Sequence, residues 1–550
     1  MARRHQPLSR AVGRPAALLG LAAGPLLVLG LSFLLPVGGM LSLGLWPHGS
    51  FDASGALDVL HRERTLRVLW FTLWSAAVGT AVTLLLGLPA AYVCYRLRFP
   101  GRRLLRLVLV MPFVLPTVVV GLTFDNLLAD QGLLGKLGWG GTPAAIIAAL
   151  VFFNLAVVVR TVGPAWEALD PRAGEAAAAL GAGPVRVLRD VTLPALRPAI
   201  VSAASVVFLF CATAFGLVLV LGGLRYATVE TEIYLLTTDL FDLQGAAALS
   251  ILQLLVVVVL LAVAHRARAT APVERRPLAA RRPHRADLPA AALTLVAAAL
   301  VLLPLGALVV GSLRVDGAWS LANFRALRTV TDGAVPVTEA LRTSLATALD
   351  ATWMSVGLGL VIAVLVTRRS RGAAERRIRA LLDGLFMLPL GVSAVTLGFG
   401  FLVTLDHPPI DLRSWPLLVP IAQALVALPL VVRTVVPVLA GIDDRQRQAA
   451  ASLGAGPLRV LATIDLAVVW KPLLAAAGFA FAVSLGEFGA TSFLVREDAP
   501  TLPVIIYRLL SHPGTGHYGM ALAASLVLAG LTAGVLLVVE RLRVPGVGGF

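Results

Sequence analysis

The chain has 550 residues, 58% of them hydrophobic and 14% charged, with a mean hydropathy of +0.88. Soluble globular proteins are about 45–50% apolar and about 25% charged, so this composition excludes an ordinary soluble domain and indicates a bilayer as solvent. The formal net charge of +16 does not indicate a nucleic-acid partner, because the basic residues stand in short clusters between long apolar runs.

Stretches of about 20 mainly apolar residues predict membrane helices. The first stretch follows the N-terminal sequence MARRHQPLSR and is too long for the apolar part of a signal peptide, so we expect it to remain as a helix. We therefore predict an all-α polytopic membrane protein with twelve spans, at 16–45, 68–95, 104–125, 143–165, 199–221, 244–264, 288–311, 343–366, 380–404, 416–438, 473–495 and 519–540.

The distribution of basic residues predicts the orientation of these spans. If the N-terminus is cytoplasmic, the segments on the cytoplasmic side carry 34 of the 46 Lys and Arg residues. This bias is what the positive-inside rule requires. We therefore expect a multi-pass protein of the cell membrane with both termini in the cytoplasm.

A basic segment divides the predicted spans into six and six. Residues 265–287 contain seven Arg and three Pro and no apolar run, which predicts a cytoplasmic linker between a first half, 1–264, and a second half, 288–550. Binding of this basic run to lipid headgroups is an alternative, but a solvated tether is the simpler interpretation.

The two halves are related by an internal repeat. The sequence VVRTV at 158–162 recurs at 431–435, and LGAGP at 180–184 recurs at 453–457, so both matches have the same offset along the chain. Because each half has an even number of spans, the halves have the same orientation and form a parallel repeat, which can enclose a central pathway.

The repeat includes the longest cytoplasmic loop of each half, between its fourth and fifth spans. The first loop, 175–194, reads EAAAALGAGPVRVLRDVTLP, and the second loop, 448–467, reads QAAASLGAGPLRVLATIDLA. A short run of helix formers meets a Gly-Ala-Gly-Pro break, and a second short helix is predicted before Pro194 ends the first loop. An ordinary amphipathic loop is the alternative for one copy, but two equivalent copies favour a docking surface for another protein.

These loops resemble the EAA loop of ABC-importer permeases, which places Glu-Ala-Ala six residues before Gly and Leu-Pro near its end. The second loop departs from the pattern at Gln448 and Ala467. In that family the loop is the coupling helix that docks on the ATPase subunit. The resemblance therefore implies ATPase docking by Glu175, Ala176, Ala177, Gly181, Gln448, Ala449, Ala450 and Gly454.

A single chain with two permease halves resembles the ferric-iron and thiamine branch of these importers. The resemblance implies an ATP-binding cassette ATPase dimer, an extracytoplasmic solute-binding protein and alternating access. The sequence contains no GxxxxGK[ST] motif, so ATP is expected on the partner chain, and no cofactor is expected on this one. Ferric iron and thiamine are the leading solutes, and oxyanions or polyamines are the alternatives.

Glu487 is the main candidate for the solute pathway. It is predicted about midway through the eleventh span, where a carboxylate is costly and usually faces a cavity or a partner. The alternative is a structural hydrogen bond that supports this Gly-flanked segment. For three residues of an outer loop, Tyr226, Glu230 and Glu232, contact with the binding protein is an alternative, but a solvated loop is the simpler interpretation. Asp125 and Asn126 are best explained by the edge of a loop.

Two other classes of protein compete with the importer permease. A secondary transporter of the major-facilitator type also has six plus six spans, but it does not need two Gly-centred loops at equivalent places. A membrane enzyme is disfavoured because no catalytic or metal-binding motif occurs in the sequence.

Overall fold

The computed structural model describes residues 8–542 except 47–49, 53, 224, 268–279, 330–334, 369, 371, 406–414 and 513. Within these residues the fold is helical, as predicted, apart from one hairpin of β1 (Arg314–Val315) and β2 (Ala318–Trp319). Both chain ends and most of the predicted linker, 268–279 of 265–287, lie outside the described residues.

The described helices follow the two predicted halves in chain order. Up to the linker they are α1 (Leu8–Leu29), α2 (Leu35–Leu45), α3 (Ser54–His61), α4 (Glu63–Arg96), α5 (Arg102–Val110), α6 (Thr117–Leu128), α7 (Pro143–Glu167), α8 (Arg172–Ala179), α9 (Pro184–Val187), α10 (Leu193–Ala212), α11 (Gly216–Gly222), α12 (Val229–Thr238) and α13 (Leu243–Ala267). After it they are α14 (Leu288–Ser312), α15 (Ala322–Ala326), α16 (Val337–Thr367), α17 (Ala373–Phe386), α18 (Ala394–Thr404), α19 (Leu418–Ala440), α20 (Asp444–Ser452), α21 (Pro457–Val460), α22 (Leu466–Leu485), α23 (Thr491–Leu494), α24 (Leu502–Ser511) and α25 (Thr515–Leu542).

Ten helices of the described part are long and apolar enough to cross a membrane. An eleventh span results if Arg102–Val114 and Thr117–Leu128, which meet at 110°, are counted together. The expected ninth span, 380–404, is instead two shorter helices, α17 and α18, separated by the 3-10 turn Leu388–Gly391. Proline at each of these breaks lacks a backbone N–H and clashes with the preceding turn, which explains why an apolar run does not form one helix.

The predicted fifth and eleventh spans also differ from the structure. Each is part of a longer continuous helix, Pro184–Ala212 or Pro457–Leu485, that starts inside the preceding loop. The residues beyond Ala212 and Leu485 form the separate short helices α11 and α23. Hydropathy marks these ends poorly, because mainly apolar segments lie on both sides of each break, although the second break contains Glu487.

The predicted repeat is also a repeat of secondary structure. At the same offset that relates the two loops, α9, the following π-helical turn and α10 correspond to α21, its π-helical turn and α22, with the same first and last positions. Helix α12 corresponds in the same way to α24. The duplication is therefore retained in where helices begin and end.

The chain folds into two compact units that do not follow the linear order of the halves. One contains the described parts of Met1–Leu43, Gly333–Val504 and Leu531–Gly548, and here Phe33 of the N-terminal segment lies in one apolar core with Phe386 and Phe401. The division into halves 1–264 and 288–550 stays a prediction about the repeat.

The other compact unit contains the described parts of Gly44–Asp332, Ile505–Gly530 and Gly549–Phe550. In this unit α14 packs against α4 and α6, and the Asn126 side chain donates a 2.9 Å hydrogen bond to the carbonyl of Ala307. Each unit therefore includes the first membrane helix of the other predicted half.

Candidate functional site

The first loop is built around a helix end that only glycine favours. Gly181 follows α8 with φ of +87°, its N–H donates to the carbonyl of Ala178 at 2.9 Å, and the N–H of Ala182 donates to Ala177 at 3.0 Å. These two bonds form a Schellman motif, which satisfies the last carbonyls of the helix. A side chain at this φ is strained, so the sequence requires glycine here.

The second loop repeats this geometry. Gly454 has φ of +85°, its N–H donates to Ala451 at 3.1 Å, and the N–H of Ala455 donates to Ala450 at 3.0 Å. The helix break predicted from the Gly-Ala-Gly-Pro sequence is therefore present in both loops and has the same backbone conformation.

After the break, each loop runs directly into a membrane-spanning helix. Gly183 is extended, with φ of −69° and ψ of 164°, and Pro184 opens the next helix, where a missing N–H costs nothing. A π-helical turn, Leu188–Thr192, joins this short helix to α10. The expectation that Pro194 ends the element is therefore wrong, because the chain continues through Pro194 into α10, directly after the π-helical turn.

The most exposed apolar side chains of the two loops stand at the helix ends. Leu180 and Leu453 are 89% and 88% exposed, and Val185 and Leu458 are also exposed. Of the residues named from the sequence, Glu175, Ala176, Gln448 and Ala449 are exposed, whereas Ala177 and Ala450 are half-buried. Each loop therefore presents two exposed aliphatic side chains, at equivalent places in the repeat.

Sequence reasoning missed these leucines, although one signal was available. Leu180 and Leu453 are repeat equivalents, and each precedes the left-handed glycine of its loop. An apolar residue directly before a helix-ending glycine, retained in both copies, could have marked them.

The second loop is held to the membrane helices by a buried ion cluster. Asp465, which is 1% exposed, pairs with Arg368 at the end of α16 and with Arg447 of α20, the latter at 2.8 Å. Arg447 also pairs with Asp444 at 2.9 Å. Partial burial alone would lower the pKa of Arg447, but its hydrogen bonds to Asp465 and Asp444 raise it above the ordinary value.

The first loop has no residues for an equivalent cluster. At the repeat-equivalent positions, Tyr95, Gly174 and Thr192 replace the two arginines and the aspartate. Its own acid, Asp190, is exposed and lies 4.0 and 3.9 Å from Arg186 and Arg189. The two loops therefore share a backbone but differ in their attachment to the helices behind them.

Glu487 lies in the break after α22 and not midway through a continuous helix. Its carboxylate is buried and accepts hydrogen bonds from the backbone N–H groups of Ala490 at 2.8 Å and Thr491 at 3.0 Å. The Thr491 hydroxyl donates to the Glu487 carbonyl at 2.8 Å. These contacts match the structural alternative, and a role in the solute pathway stays a prediction.

The acidic residues assigned to a solvated outer loop are instead buried in α12. Arg64 donates two hydrogen bonds to the carboxylate of Glu232, and Gln253 donates one of 3.0 Å to Glu230. Both acids lie in the first turn of the helix, where the exposed N–H groups favour negative charge. A solvated loop is therefore the wrong interpretation of these two residues.

The two weaker candidates on α6 also have partners within the fold. Asp125 accepts a hydrogen bond of 3.0 Å from the Tyr518 hydroxyl, and Asn126 holds the carbonyl of Ala307. Neither residue is explained by a loop edge, since both lie inside α6.

Comparison with known proteins places this arrangement in a family. Residues 83–270 match the binding-protein-dependent transport system inner membrane component. The thiamine transport system permease protein ThiP of Brucella abortus (strain 2308) is 30% identical over 535 residues, covering 93% of this chain and 94% of the relative. The ThiP of Escherichia coli (strain K12) is 28% identical over 456 residues, covering 80% and 83%.

A shorter relative is the sulfate transport system permease protein CysT of Salmonella typhimurium, 33% identical over 205 residues, which cover 35% of this chain and 73% of that protein. A bacterial ABC transporter that imports the acidic polysaccharide alginate matches 48% of this chain and 100% of its own, at 18% identity or less and a TM-score of 0.41.

The class of protein follows from the helical fold and the near full-length relatives: it is a multi-pass membrane permease of an ABC importer. More particularly, the chain belongs to the family of binding-protein-dependent transport system inner membrane components, and its relatives include permeases named for thiamine transport. The resemblance drawn from the two loops is thus confirmed at the level of the family. The secondary-transporter alternative gains no support.

Proposed function

We propose that this permease imports thiamine, with both termini in the cytoplasm, and works with a separate ATPase dimer and an extracytoplasmic solute-binding protein. The observation that carries the proposal is the identity to ThiP proteins along nearly the whole of both chains. A match of this length covers both halves and both loops, and not only the domain that all such permeases share.

The ATPase docks on the two loops through their exposed leucines. Leu180 and Leu453 each stand at the tip of a Schellman turn, with an exposed aliphatic residue, Val185 or Leu458, five positions later. An apolar tip of this kind fits a groove on a partner, and burying one leucine side chain contributes about 2 kcal/mol. Glu175 and Gln448, on the exposed surfaces of α8 and α20, add a polar rim.

Coupling follows from the continuity of helix and loop. A displacement of either loop is passed to a helix of 29 residues, Pro184–Ala212 or Pro457–Leu485, without an intervening hinge loop. ATP binding in the partner therefore moves the far ends of these helices, and the access of the pathway alternates between the two faces. The chain itself breaks no covalent bond.

Docking is tested with the double variant Leu180→Ser/Leu453→Ser. Because both side chains are exposed, we expect normal membrane insertion, loss of co-purifying ATPase and at least a tenfold fall in uptake. Leu133→Ser, an exposed leucine in the α6–α7 connection, is the matched control and should leave both measurements unchanged. Co-purification of the ATPase at the wild-type level with the double variant would remove the docking assignment.

The solute is tested by uptake of labelled thiamine and labelled ferric iron in a strain with and without the gene. We expect the deletion to lose thiamine uptake only, and the intact gene to restore it. Loss of iron uptake alone would replace thiamine by ferric iron as the solute, and no change in either would remove both solutes.

A further inference from the structure

Two tyrosines that have no role in the proposed function occupy equivalent positions of the repeat and are in contact with each other. Tyr234 of α12 and Tyr507 of α24 occupy the same position in the two copies of the repeat, and their rings lie 6.5 Å apart between centroids, at 85°. This is the edge-to-face arrangement that aromatic pairs prefer. Both residues belong to the same compact unit.

Contact between equivalents locates a symmetry relation. In a pair of equivalent elements related by a two-fold axis, a residue touches its own counterpart only where it lies close to that axis. The Tyr234–Tyr507 contact therefore marks the local axis that relates α12 to α24. In a parallel repeat the solute path runs along such an axis, so the two rings lie across it.

The pair stands at the end of the helices that is distant from the docking loops. Helix α10 starts at the first loop and has 20 residues, which corresponds to about 30 Å, the thickness of a hydrocarbon core. Phe215 follows shortly after its far end, and the Phe215 ring lies 5.4 Å from that of Tyr234. Three aromatic rings thus meet near the far face.

An acid and a base act on the pair. The carboxylate of Asp239 interacts electrostatically with both phenols, and Arg508 interacts with Tyr234 from the other helix. One acid beside one base is not a cluster of charge of either sign. The aromatic side chains are therefore the groups here that can select a solute. They favour solutes with flat ring systems through stacking, and they attract a delocalised cation in addition.

We propose that Tyr234 and Tyr507 form an aromatic gate across the solute path on the face opposite the docking loops, and that a flat heteroaromatic cation parts the rings and stacks on them as it passes. The solute class rests on the proposed import of thiamine, whereas the gate does not. In the resting state the edge-to-face pair closes the path, and movement of α10, whose far end lies beside Phe215, separates α12 from α24.

The gate is tested by a reversible crosslink between positions 234 and 507 that holds it closed. A protease site is placed in the linker at 268–279, and Tyr234→Cys/Tyr507→Cys is treated with a short bis-methanethiosulfonate reagent, which a reductant removes. The native Cys94 and Cys211 are buried, and each single-cysteine variant with the same reagent is the control. After proteolysis, a band that joins the two fragments reports the crosslink.

The double cysteine variant lacks both rings, so its uptake without the reagent is the reference for this test. In reconstituted vesicles, with the ATPase and the binding protein present, we expect that remaining uptake to fall at least tenfold further on crosslinking and to recover with reductant. The reagent should leave the uptake of each single variant unchanged from its own value without the reagent. Undiminished uptake by fully crosslinked protein overturns the gate, and so does the absence of any joined band.

Solute class and gate are separated by two further measurements. Tyr234→Phe/Tyr507→Phe keeps the rings and should keep thiamine uptake within about twofold, while Tyr234→Leu/Tyr507→Leu should lower it at least tenfold. Equal uptake by both variants overturns the stacking role. If the wild-type protein does not import thiamine, the gate is tested without a solute. An impermeant maleimide is used to label Tyr234→Cys from the far face, and addition of ATP should change the labelling rate at least fivefold. An unchanged labelling rate overturns the gate.

Discussion

At the scale of single residues, the two loops differ most at Asp465. This buried carboxylate accepts hydrogen bonds from Arg368 and Arg447, so removal of its charge takes away the acid that the two guanidinium groups share and leaves Arg447 with Asp444. Breaking a buried ion pair in this way costs far more than an exposed pair contributes. The residue therefore decides how firmly the second loop is fixed.

We predict that Asp465→Asn lowers the stability of the second loop by about 3 kcal/mol and weakens its transmission of ATPase motion. Asp190→Asn in the first loop should cost less than about 1 kcal/mol, because its ion pairs are long and exposed. Thermal unfolding of the detergent-purified protein, with uptake measured in parallel, checks both. Similar losses for the two variants would contradict the difference in attachment.

Glu487 provides a second prediction. If its carboxylate supports the start of α23, Glu487→Ala should lower stability by about 1 kcal/mol, and Glu487→Gln, which retains one acceptor oxygen, by less. Basal ATP hydrolysis and uptake should then fall together. A Gln variant with normal basal hydrolysis but reduced solute-stimulated transport would instead place Glu487 in the pathway.

The sequence anticipated some of these residues and not others. Gly181 and Gly454 were predictable, because a Gly-Ala-Gly-Pro break needs a conformation that only glycine adopts readily. The burial of Glu232 was not, because its partner Arg64 lies far away in the chain, on α4. Exposure of Leu180 was hidden for another reason: the hydropathy of leucine predicts burial, whereas its place at the end of α8, directly before Gly181, leaves it exposed.

At the scale of elements, the Schellman turns and the helix breaks decide the geometry of the loops and spans. Apolar runs correctly predicted where helices lie, but they did not predict where helices bend or stop, since only uncharged residues, 213–215, separate α10 from α11. Prolines within the runs gave a partial signal: Pro112 and Pro116 accompany the 110° break after α5, whereas Pro198 lies inside the unbroken α10.

For the turns we predict a contrast between neighbouring glycines. Gly181→Ala/Gly454→Ala should weaken the ends of α8 and α20 by about 1 to 2 kcal/mol per site, because both positions have positive φ although each has open space for a methyl group. Hydrogen exchange of the two helices should accelerate roughly tenfold. Uptake should fall with it, while membrane insertion is retained.

Gly183→Ala/Gly456→Ala is the matched control for that experiment. These glycines also have open space around them, but their φ values are −69° and −67°, which alanine adopts without strain. Slow exchange should be preserved. If the control variant behaved like the first, the loss would come from the added methyl groups at a partner surface and not from backbone strain.

At the scale of the whole molecule, the linear order of the halves and the compact units diverge. The constant offset between the matching segments predicted the twofold repeat. It did not predict that each compact unit contains the first helix of the other half, because no local sequence pattern indicates against which helices a given helix packs. In the unit that contains α14, its packing on α4 and α6 and the bond from Asn126 to Ala307 hold it among first-half helices.

The described end of the linker strengthens that attachment. Arg281 forms a parallel bridge with Leu97 at the end of α4 and a bidentate ion pair with Asp287, which also accepts a hydrogen bond from Tyr92. The linker is therefore not only a solvated tether, since residues 281–287 are fixed to α4.

We therefore predict that the chain tolerates a cut between 268 and 279. Two fragments expressed together should co-purify and import solute at a rate within about threefold of the intact chain, because packing and not the peptide link joins them. Gly311→Leu is expected to weaken this association, since a side chain there would collide with Asn126 and Leu522. The expression and membrane insertion of the uncut Gly311→Leu protein are measured first. If it does not insert, any loss of association between its fragments results from misfolding and not from weaker packing.

Carrying both repeats on one polypeptide has a consequence for how the loops can change over time. In a permease assembled from two identical chains, every substitution occurs in both copies. A buried aspartate such as Asp465 would then need its partner arginines in both copies at the same time. Here each loop is encoded separately and is always paired with the other in equal number. One loop can therefore acquire an ion cluster while the other keeps Tyr95, Gly174 and Thr192. The two subunits of the proposed ATPase dimer would then meet different loops, although only one kind of permease chain is made.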